Sequence, residues 1–390
     1  MHLNLTLLIQ RTDIENKPGG DLIQFSQVKK YLENRDYNVE LIPWSPRLDL
    51  RDCDVVNLVN DRPLILADSL RIINKLNPRP QIVISPIHHS DQEVINLRKY
   101  GFAQSLMEVV FAKLLSIKLI ENRLLHLINI LADFRMISAS YSFWIAAFTF
   151  FRNFSNVFSK RKLGSVLVSN NALQFLALGE EKSFIEDYRI GRDELSSRHV
   201  IPNGKPNLTF THKSKNQKID FPIIVIGRIE PRKRSLELAR IAHGMTIPIT
   251  FLGAFSNDKS RYALEFSKIV EKSSYVNYLG AQSHSETFDI MSRSKVLLNV
   301  SFAEVLSLVE LEAAGQGKWI VSSGAGYSSE YISSNQLRIY PGTDLGKGLE
   351  IAWQLAISQS VSFDAPEIPS WAEIADRYSA MYQEVTLGRI

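Results

Sequence analysis

The fold of this chain is decided by residues 301–331, which read SFAEVLSLVELEAAGQGKWIVSSGAGYSSEY. The apolar run 296–300 before them predicts a buried strand. The small and apolar residues 308–314 predict a helix, and another apolar run follows it. Glu304 falls in the turn between strand and helix, and Glu312 falls inside the helix. Both carboxylates are therefore expected near the carboxyl end of a strand, where α/β sheets bind their ligands.

Strand and helix patterns alternate through both halves of the chain. Its 390 residues suit two domains of similar size. The predicted strands are 3–10, 39–42, 55–59, 81–85 and 165–169 in the first half, and 223–226, 249–252, 276–279, 296–300 and 319–321 in the second. This alternation predicts an α/β protein with two Rossmann-like, doubly wound parallel sheets.

The domain boundary is predicted in the polar segment 205–220, which is rich in Lys, Asn, Gln and Ser. This leaves an N-terminal domain at 1–204 and a C-terminal domain at 221–370. The first contains a helical insert at about 102–162, where apolar residues recur at helical spacing. A last amphipathic helix lies within 371–390, and we expect it to cross back to the N-terminal domain.

Composition and charge exclude several classes of protein. The chain is 45% hydrophobic with a net charge of +4, which is too weakly basic for a dedicated nucleic-acid binder. Its charge suits an anionic ligand or an anionic membrane surface, or reflects scattered surface lysines. Cys53 is the single cysteine, so no intrachain disulfide can form. The N-terminal run lacks the basic start of a signal peptide, and a cytoplasmic protein is predicted.

A basic loop follows the first strand of the C-terminal domain, with the sequence GRIEPRKR at 227–234. Arg228 and Lys233 could bind one diphosphate, the arginine as a fork and the lysine as a point charge. Such charges stabilise a diphosphate that leaves a sugar. The loop could instead be solvated, as we expect for Arg232 and Arg234.

The helix start at Ser307 and Leu308 can direct free backbone N–H groups at phosphate oxygens. Eight helical residues span at most ~12 Å, which suits contacts to the two ends of one extended ligand. Glu304 could then accept hydrogen bonds from sugar hydroxyls and Glu312 from ribose hydroxyls. Alternatively, the helix dipole stabilises Glu304 without any ligand. Glu310, two residues before Glu312, should point elsewhere.

Two turns in the N-terminal half are further candidates. Gly19 and Gly20 separate the first strand from a helix and either bring amides to a phosphate or only form a tight turn. His88 and His89 follow the strand 81–85, where they could hydrogen-bond a substrate or lie in solvent.

No metal is expected. The histidine pair lacks a third ligand at zinc spacing. The Asp-Cys-Asp triplet at 52–54 precedes its strand, which is the wrong end of the sheet for a ligand site.

Residues 136–151 form an apolar run bounded by Arg135 and Arg152. The run is shorter than the roughly 20 apolar residues of a membrane span. It could be a buried helix. The aromatic residues of 143–158, followed by the basic residues 160–162, instead favour an element that lies on an anionic membrane surface.

The second half of the chain resembles a known family. Glu304 and Glu312 are separated by seven residues, and Ala-Ala-Gly and Lys-Trp-Ile-Val follow at 313–315 and 318–321. Further landmarks in the same order are Gly19–Gly20, the Ile-Pro-Asn-Gly run at 201–204, Gly227–Arg228, Lys233 and Trp371. This pattern resembles the E-x7-E signature of retaining glycosyltransferases of the GT-B fold, family 4. The match is strong over 221–332, weaker in the N-terminal half, and absent over 102–162.

The resemblance implies a nucleotide-sugar donor bound by the C-terminal domain. It implies a glycan or lipid-linked saccharide acceptor, bound by the N-terminal domain across a cleft, and transfer with retained configuration and without a metal. It places Glu304 on the donor sugar, Glu312 on the ribose, and Arg228, Lys233 and the Gly20 amide on the diphosphate. The remaining implied contacts are Leu306, Ser307 and Leu308 to the phosphates or sugar, Gly280 and Ala281 to the base, and His88 or His89 to the sugar.

The sequence departs from the family pattern at Val305 and Ser307, where glycine is usual. Two other functions stay open: an epimerase or hydrolase of nucleotide sugars on the same fold, and a non-catalytic partner subunit. The partners expected are therefore a nucleotide-sugar donor, a saccharide acceptor and a membrane surface at about 143–162, and no nucleic acid.

Overall fold

The computed structural model describes residues 3–12, 14, 19–103, 106–115, 121–157, 159–169, 171–195, 197–205, 219–358, 363 and 368–388. Most of the predicted linker, 206–218, lies outside these residues. So does Phe158, one of the aromatic residues of the predicted membrane-surface element. The chain divides into two compact units. The first unit comprises Met1–Asp91, Leu119–Gly204 and Pro369–Ile390, and the second comprises Gln92–Lys118 and Lys205–Ile368.

Both units are built from parallel strands and covering helices. The strands are β1 (Leu3–Ile9), β2 (Tyr37–Pro43), β3 (Val55–Val59), β4 (Gln81–Ser85), β5 (Ala172–Phe175), β6 (Ser197–Val200), β7 (Phe221–Ile226), β8 (Ile249–Leu252), β9 (Val276–Tyr278), β10 (Ser294–Asn299), β11 (Trp319–Ser322) and β12 (Leu337–Ile339). The helices are α1 (Gly20–Glu33), α2 (Pro63–Ile73), α3 (Asp91–Tyr100), α4 (Leu106–Leu115), α5 (Glu121–Ser140), α6 (Phe143–Val157), α7 (Lys160–Val168), α8 (Leu178–Tyr188), α9 (Ser235–Met245), α10 (Arg261–Lys272), α11 (His284–Ser292), α12 (Leu308–Gly315), α13 (Leu345–Ile357) and α14 (Trp371–Thr386).

The sheet of the first unit has the strand order β2-β1-β3-β4-β5-β6, and all its pairs are parallel. Strand β3 is buried along its whole length because helices cover both faces of the sheet. Helix α14 packs on α1 and β4. Its start is fixed by a capping box, in which Ser370 Oγ accepts from the Glu373 backbone and the Glu373 carboxylate accepts from the Ser370 backbone.

The sheet of the second unit has the order β12-β11-β10-β7-β8-β9, again with parallel pairs throughout. Strand β10 lies near the middle, between β7 and β11, so the loops after these three strands meet at one edge. This arrangement places the segment after β10 beside the basic loop after β7. The predicted fold class, two Rossmann-like parallel sheets, is confirmed.

Several predicted elements differ from the structure. The predicted strand 165–169 is the end of α7, whereas the actual strand is β5. A short apolar run does not distinguish a strand from a buried helix, and Leu163, Gly164, Leu167 and Val168 line one buried helical face. Residues Ser328–Glu330 form a single 3-10 turn.

The predicted helical insert 102–162 is not one body. Residues up to Lys118 belong to the second unit, and those from Leu119 belong to the first. Among the described residues, no helix is both long and apolar enough to cross a membrane.

Candidate functional site

Glu304 lies at the carboxyl edge of the second unit's sheet, in the turn between β10 and α12. Glu304 is buried, with 9% of its surface exposed to solvent. The Lys233 ammonium donates a hydrogen bond to its Oε1, and Arg232 Nη1 lies 3.5 Å from the same oxygen. Arg232 Nη1 also donates to the carbonyl oxygen of Ala303 at 2.7 Å, which fixes the guanidinium beside the turn. Two cations from the loop after β7 therefore hold one carboxylate from the loop after β10.

These contacts decide the charge of Glu304. Burial alone would raise the pKa of its carboxyl group, but the charges of Lys233 and Arg232 outweigh burial and lower that pKa to about 2. Glu304 is thus anionic at every physiological pH. It can accept hydrogen bonds from hydroxyl groups, but it has no proton to give as a general acid.

The basic loop after β7 differs from the prediction. Arg232 and Arg234 were expected to be solvated, and this expectation was wrong. Arg234 is buried, and its guanidinium lies 4.3 Å from the ring centroid of Phe302. Arg232 pairs with Glu304 and also with Glu230, at 3.2 Å. Consecutive cations in a turn face different ways, and sequence alone does not show that a carboxylate from a distant loop meets one of them.

Arg228 is the more accessible cation of the predicted pair. Its Nη2 lies 3.5 Å from Glu230 Oε1, and about a third of its side chain is exposed. Lys233 is instead committed to Glu304, although an ammonium has three donor positions and could also meet a ligand oxygen. The prediction that Arg228 and Lys233 share one diphosphate stays a prediction.

The loop at 324–327 packs directly over the Glu304 turn. The Tyr327 amide donates to the Val305 carbonyl oxygen at 2.8 Å. Gly326 has φ +77°, and a Cβ at this position would lie 2.6 Å from that same oxygen. Its amide donates to Glu93 Oε1 of α3 at 2.8 Å. Gly326 therefore lies close against the turn that carries Glu304.

Helix α12 begins where the sequence predicted. Ser307 caps it, and its Oγ accepts from the Glu310 amide at 3.4 Å. Serine serves this position because an oxygen satisfies an amide at the helix start, which glycine could not do. Leu306 and Ser307 are buried, and Leu308 is half-buried.

Glu310 points into the interior behind the turn, away from Glu312 as predicted from their spacing. Its Oε1 accepts from Asn299 Nδ2 at 2.8 Å, and Asn299 Oδ1 accepts from Ser301 Oγ at 2.7 Å. Burial raises the pKa of Glu310 despite the hydrogen bond from Asn299. Glu310 therefore ties α12 to the end of β10, just before Glu304. No feature of the sequence had suggested this role.

Glu312 lies on α12, half-buried, and its Oε1 is 2.9 Å from His284 Nε2 of α11. This hydrogen bond with Glu312 raises the pKa of His284. Gly280 follows β9 with φ +74°, and its carbonyl oxygen accepts from the Gly253 amide at 2.8 Å. Ala281 is exposed beside it. His284 was not among the predicted residues, because a lone histidine at a helix start carries no distinctive pattern.

In the first unit, α1 begins at Gly20, with Gly19 as its N-cap. Arg11 Nη1 lies 3.2 Å from Asp21 Oδ2, and Asn60 Nδ2 donates to the same oxygen at 3.0 Å. A Cβ at Gly19 would lie 2.4 Å from Asp21 Oδ1, which is the end of a side chain that can shift to make room. Gly20 is exposed at the first turn of the helix, as a phosphate contact would require.

His88 is buried, and both of its ring nitrogens face carboxylates. Nδ1 lies 2.6 Å from Asp61 Oδ2, and Nε2 lies 2.8 Å from Asp187 Oδ2. Burial alone would lower the pKa of His88, but these carboxylates raise it to about 9. The ring is therefore a buried cation that pairs with Asp61 and Asp187. Both ring nitrogens of His88 already have carboxylate partners, and His89 is half-buried. The prediction that His88 or His89 hydrogen-bonds a substrate stays a prediction.

Within the described ranges, no group of three or more His, Cys, Asp or Glu side chains is arranged to hold a metal ion.

Sequence comparison of the chain with protein-family models gave no match, and neither did comparison with curated proteins. Solved structures do match. Sucrose-phosphate synthase from Thermosynechococcus elongatus superposes with a TM-score of 0.61 at 12% identity, over 99% of this chain and 100% of that one. The catalytic domain of starch synthase IV from Arabidopsis thaliana, solved with ADP and acarbose, gives 0.58 at 12% identity, over 99% and 100%. HepE from Anabaena, solved with UDP-glucose, gives 0.55 at 15% identity, over 100% of each chain.

These similarities extend over the whole chain. Together with the two six-stranded parallel sheets, they show that this protein has the GT-B fold.

Proposed function

We propose that this protein is a retaining glycosyltransferase of the family-4 type, and that it uses a nucleotide-diphosphate sugar as donor. The observation that carries the proposal is the ionised Glu304, held by Lys233 and Arg232 at the carboxyl edge of the second unit's sheet. The ligands found in solved structures of the same fold also support the proposal. HepE was solved with UDP and with UDP-glucose, and starch synthase IV with ADP.

In this proposal the cations neutralise the leaving group. Arg228 and Lys233 bind the diphosphate, and the amides at the start of α12 add partial positive charge. Glu304 accepts hydrogen bonds from donor sugar hydroxyls, and Glu312 accepts from the ribose. Gly280 and Ala281 lie along the base. Positive charge from side chains takes the place of a divalent metal.

The proposed reaction breaks the bond between the anomeric carbon and the phosphate oxygen. An acceptor hydroxyl oxygen bonds to the same face of that carbon, and its proton goes to the departing diphosphate. No protein carboxylate acts as nucleophile in this scheme. Glu304, with its low pKa, instead stabilises the positive charge that develops on the sugar ring. The acceptor is a glycan or a lipid-linked saccharide, and a cytoplasmic location stays a prediction.

The test is a thermal-shift screen with UDP-, GDP-, dTDP- and ADP-sugars, followed by transfer assays with the donor that binds. Glu304→Gln keeps the size of the side chain and removes its charge. We expect it to lower turnover at least about 100-fold, within the range found when a transition-state electrostatic contact is removed. Glu271→Gln, an exposed position on α10, is the matched control.

Three results would contradict the proposal. Near-wild-type transfer by Glu304→Gln would show that the Glu304 carboxylate is not needed for the reaction. Donor turnover without acceptor, at the rate of transfer, would indicate an epimerase or hydrolase. If no nucleotide or nucleotide sugar bound, the protein would be a non-catalytic partner subunit.

A further inference from the structure

Helix α6 of the first unit has an inverted distribution of side chains. Large aromatic residues lie on its outer face. Their exposed fractions are 58% for Phe143, 80% for Trp144, 64% for Phe148, 74% for Phe151 and 44% for Phe154. The residues that α6 buries are smaller or polar, namely Ala146, Thr149, Asn153 and Val157. An ordinary surface helix buries its large apolar side chains and exposes its polar ones.

The inner face fixes this orientation. Asp68 of α2 is fully buried, and its Oδ1 accepts from Arg152 Nε and from Asn153 Nδ2, both at 2.7 Å. Rotating α6 to bury its aromatic residues would break these bonds and leave a buried carboxylate unpaired, which is strongly unfavourable. The outward position of the aromatic residues is therefore built into the fold.

The neighbouring helix α5 extends the apolar surface. Leu127 and Leu131 are exposed, and with Phe134 they recur on one face of α5. The ring of Phe134 meets those of Phe143 and Phe150 edge-on, at centroid distances of 5.6 and 6.4 Å. We call the exposed side chains of Leu127, Leu131, Phe143, Trp144, Phe148, Phe151 and Phe154 the aromatic face. Exposed apolar patches of this kind mark interaction sites.

The exposed charged side chains that the structure describes between residues 122 and 169 have one sign. Between residues 122 and 169 the sequence contains a single acidic residue, Asp133, which is buried and lies 2.9 Å from Arg62 Nη1. The exposed charged residues of the same segment are Arg123, Arg135, Arg161 and Lys162. Lys160, which the sequence placed in this basic cluster, is instead bonded to Asp91 at 2.6 Å and does not belong to it.

We propose that the aromatic face binds the surface of an anionic lipid bilayer. Aromatic rings insert at the boundary between headgroups and acyl chains, and the exposed cations of the same segment are attracted by anionic headgroups. A second copy docking through the same face would bring its own cations against these, which disfavours a symmetric dimer. The proposal does not depend on the transferase activity, because every residue that it uses lies outside the site around Glu304.

The experiment is flotation of the full chain with vesicles of phosphatidylcholine, with and without phosphatidylglycerol. We expect binding to the anionic vesicles that weakens with added salt. Phe148→Ser combined with Phe151→Ser should lower that affinity at least about tenfold, because each ring loses its apolar burial. Arg161→Ala combined with Lys162→Ala should lower affinity about tenfold on anionic vesicles and leave neutral ones unaffected.

Two control variants separate the loss of a specific membrane contact from an unspecific loss of vesicle binding. Leu264→Ser and Lys272→Ala, at exposed positions of α10 in the second unit, should float like the wild type. Trp144 should shift its fluorescence to the blue on vesicle binding, and Trp144→Phe should bind but lose most of that shift. All replaced side chains are exposed, so circular dichroism and melting temperature should not change.

The proposal fails if the wild type does not float with anionic vesicles, or if the double phenylalanine variant floats as well as the wild type. Concentration-dependent self-association that this variant abolishes, without vesicle binding, would assign the face to a second copy. The nucleotide-sugar thermal shift of these variants should match the wild type. Failure here therefore leaves the proposed enzyme activity untouched, and vesicle binding could succeed even if no donor binds.

Discussion

The Lys233 ammonium donates a hydrogen bond to Oε1 of Glu304, which lies 71 residues further along the chain. The parallel order of β7 and β10 places the two loops side by side at one edge of the sheet. Because Glu304 is buried, its negative charge depends on the positive charges of Lys233 and Arg232. A ligand phosphate that attracts Lys233 would therefore act on Glu304 as well.

Replacing Lys233 with methionine tests this dependence. Burial would then raise the pKa of Glu304 from about 2, with Arg232 as the remaining cation that opposes it. We expect transfer to fall at least about 100-fold and the acid limb of its pH profile to move to higher pH. The measurement is turnover against pH with saturating donor. Lys272→Met is the matched control, and an unchanged acid limb in Lys233→Met would refute the coupling.

Glu310 is expected to act as a positioning residue behind the turn that carries Glu304. Burial raises the pKa of its carboxyl group, and its Oε1 needs only to accept from Asn299. Glu310→Gln can keep this hydrogen bond and should preserve turnover. Glu310→Leu leaves the Asn299 amide without its acceptor, which should cost about 1–3 kcal/mol of unfolding free energy.

Urea unfolding and transfer kinetics of the two Glu310 variants measure this difference. In Glu310→Leu we expect turnover to fall more than donor affinity, because the end of β10 moves relative to Glu304. Equal behaviour of the glutamine and leucine variants would rule out the hydrogen-bond role.

Gly326 is expected to be required for space as well as for conformation. Gly280 and Gly326 both have positive φ, of +74° and +77°, but only at Gly326 would a Cβ meet backbone at 2.6 Å. Gly280→Ala should therefore lose only the strain of the left-handed conformation, about 1 kcal/mol. Gly326→Ala should lose more, and its turnover should fall because the Glu304 turn is displaced. The comparison uses unfolding free energies and transfer rates, and equal losses would show that space does not matter.

The buried cation His88 should make the first unit sensitive to alkaline pH. Its pKa is about 9 in the folded chain and 6.5 without the fold. A raised pKa contributes stability that is fully present below pH 6.5 and is lost as the pH rises through about 9. A pKa that rises from 6.5 to about 9 corresponds to about 3 kcal/mol of stability.

This prediction is checked by the unfolding free energy in urea between pH 6 and pH 10, followed by a signal from the first unit. His88→Gln cannot carry the charge, so we expect it to be less stable than the wild type and to lose this part of the pH dependence. His89→Gln should keep the wild-type slope. If His88→Gln keeps that slope too, the ion pairs with Asp61 and Asp187 do not govern alkaline stability.

The predictions from sequence succeeded where local pattern and tertiary role coincide. The apolar runs of β3, β4, β7 and β10 are short, continuous and followed by turns, and each became a buried parallel strand. They failed at 165–169, where an equally apolar run is the buried face of α7. Both kinds of segment are apolar because both are buried. In a run this short, hydrophobic periodicity alone does not distinguish a strand from a helix.

The candidate site shows the same division. Glu304, Glu312 and Lys233 were predicted from their spacing and their places in the chain. The structure pairs Glu304 with Lys233 and places Glu312 beside His284, and their roles stay predictions. Arg232, Glu310 and His284 were missed, because each matters through a contact with a residue distant in the chain. Either His88 or His89 was predicted to meet a substrate, and sequence could not show that carboxylates of distant segments occupy both ring nitrogens of His88.

The sequence by itself therefore determined the two parallel sheets, the helix that begins after Ser307, and the presence of Glu304 before that helix and Glu312 within it. These follow from local periodicity, capping and turn chemistry, which act over a few neighbouring residues. The tertiary structure alone decided the ionised state of Glu304, the interior role of His88 and the outward orientation of the aromatic face. Those properties depend on burial and on charges brought from distant segments, and an electrostatic field is set by positions in space, not by order along the chain.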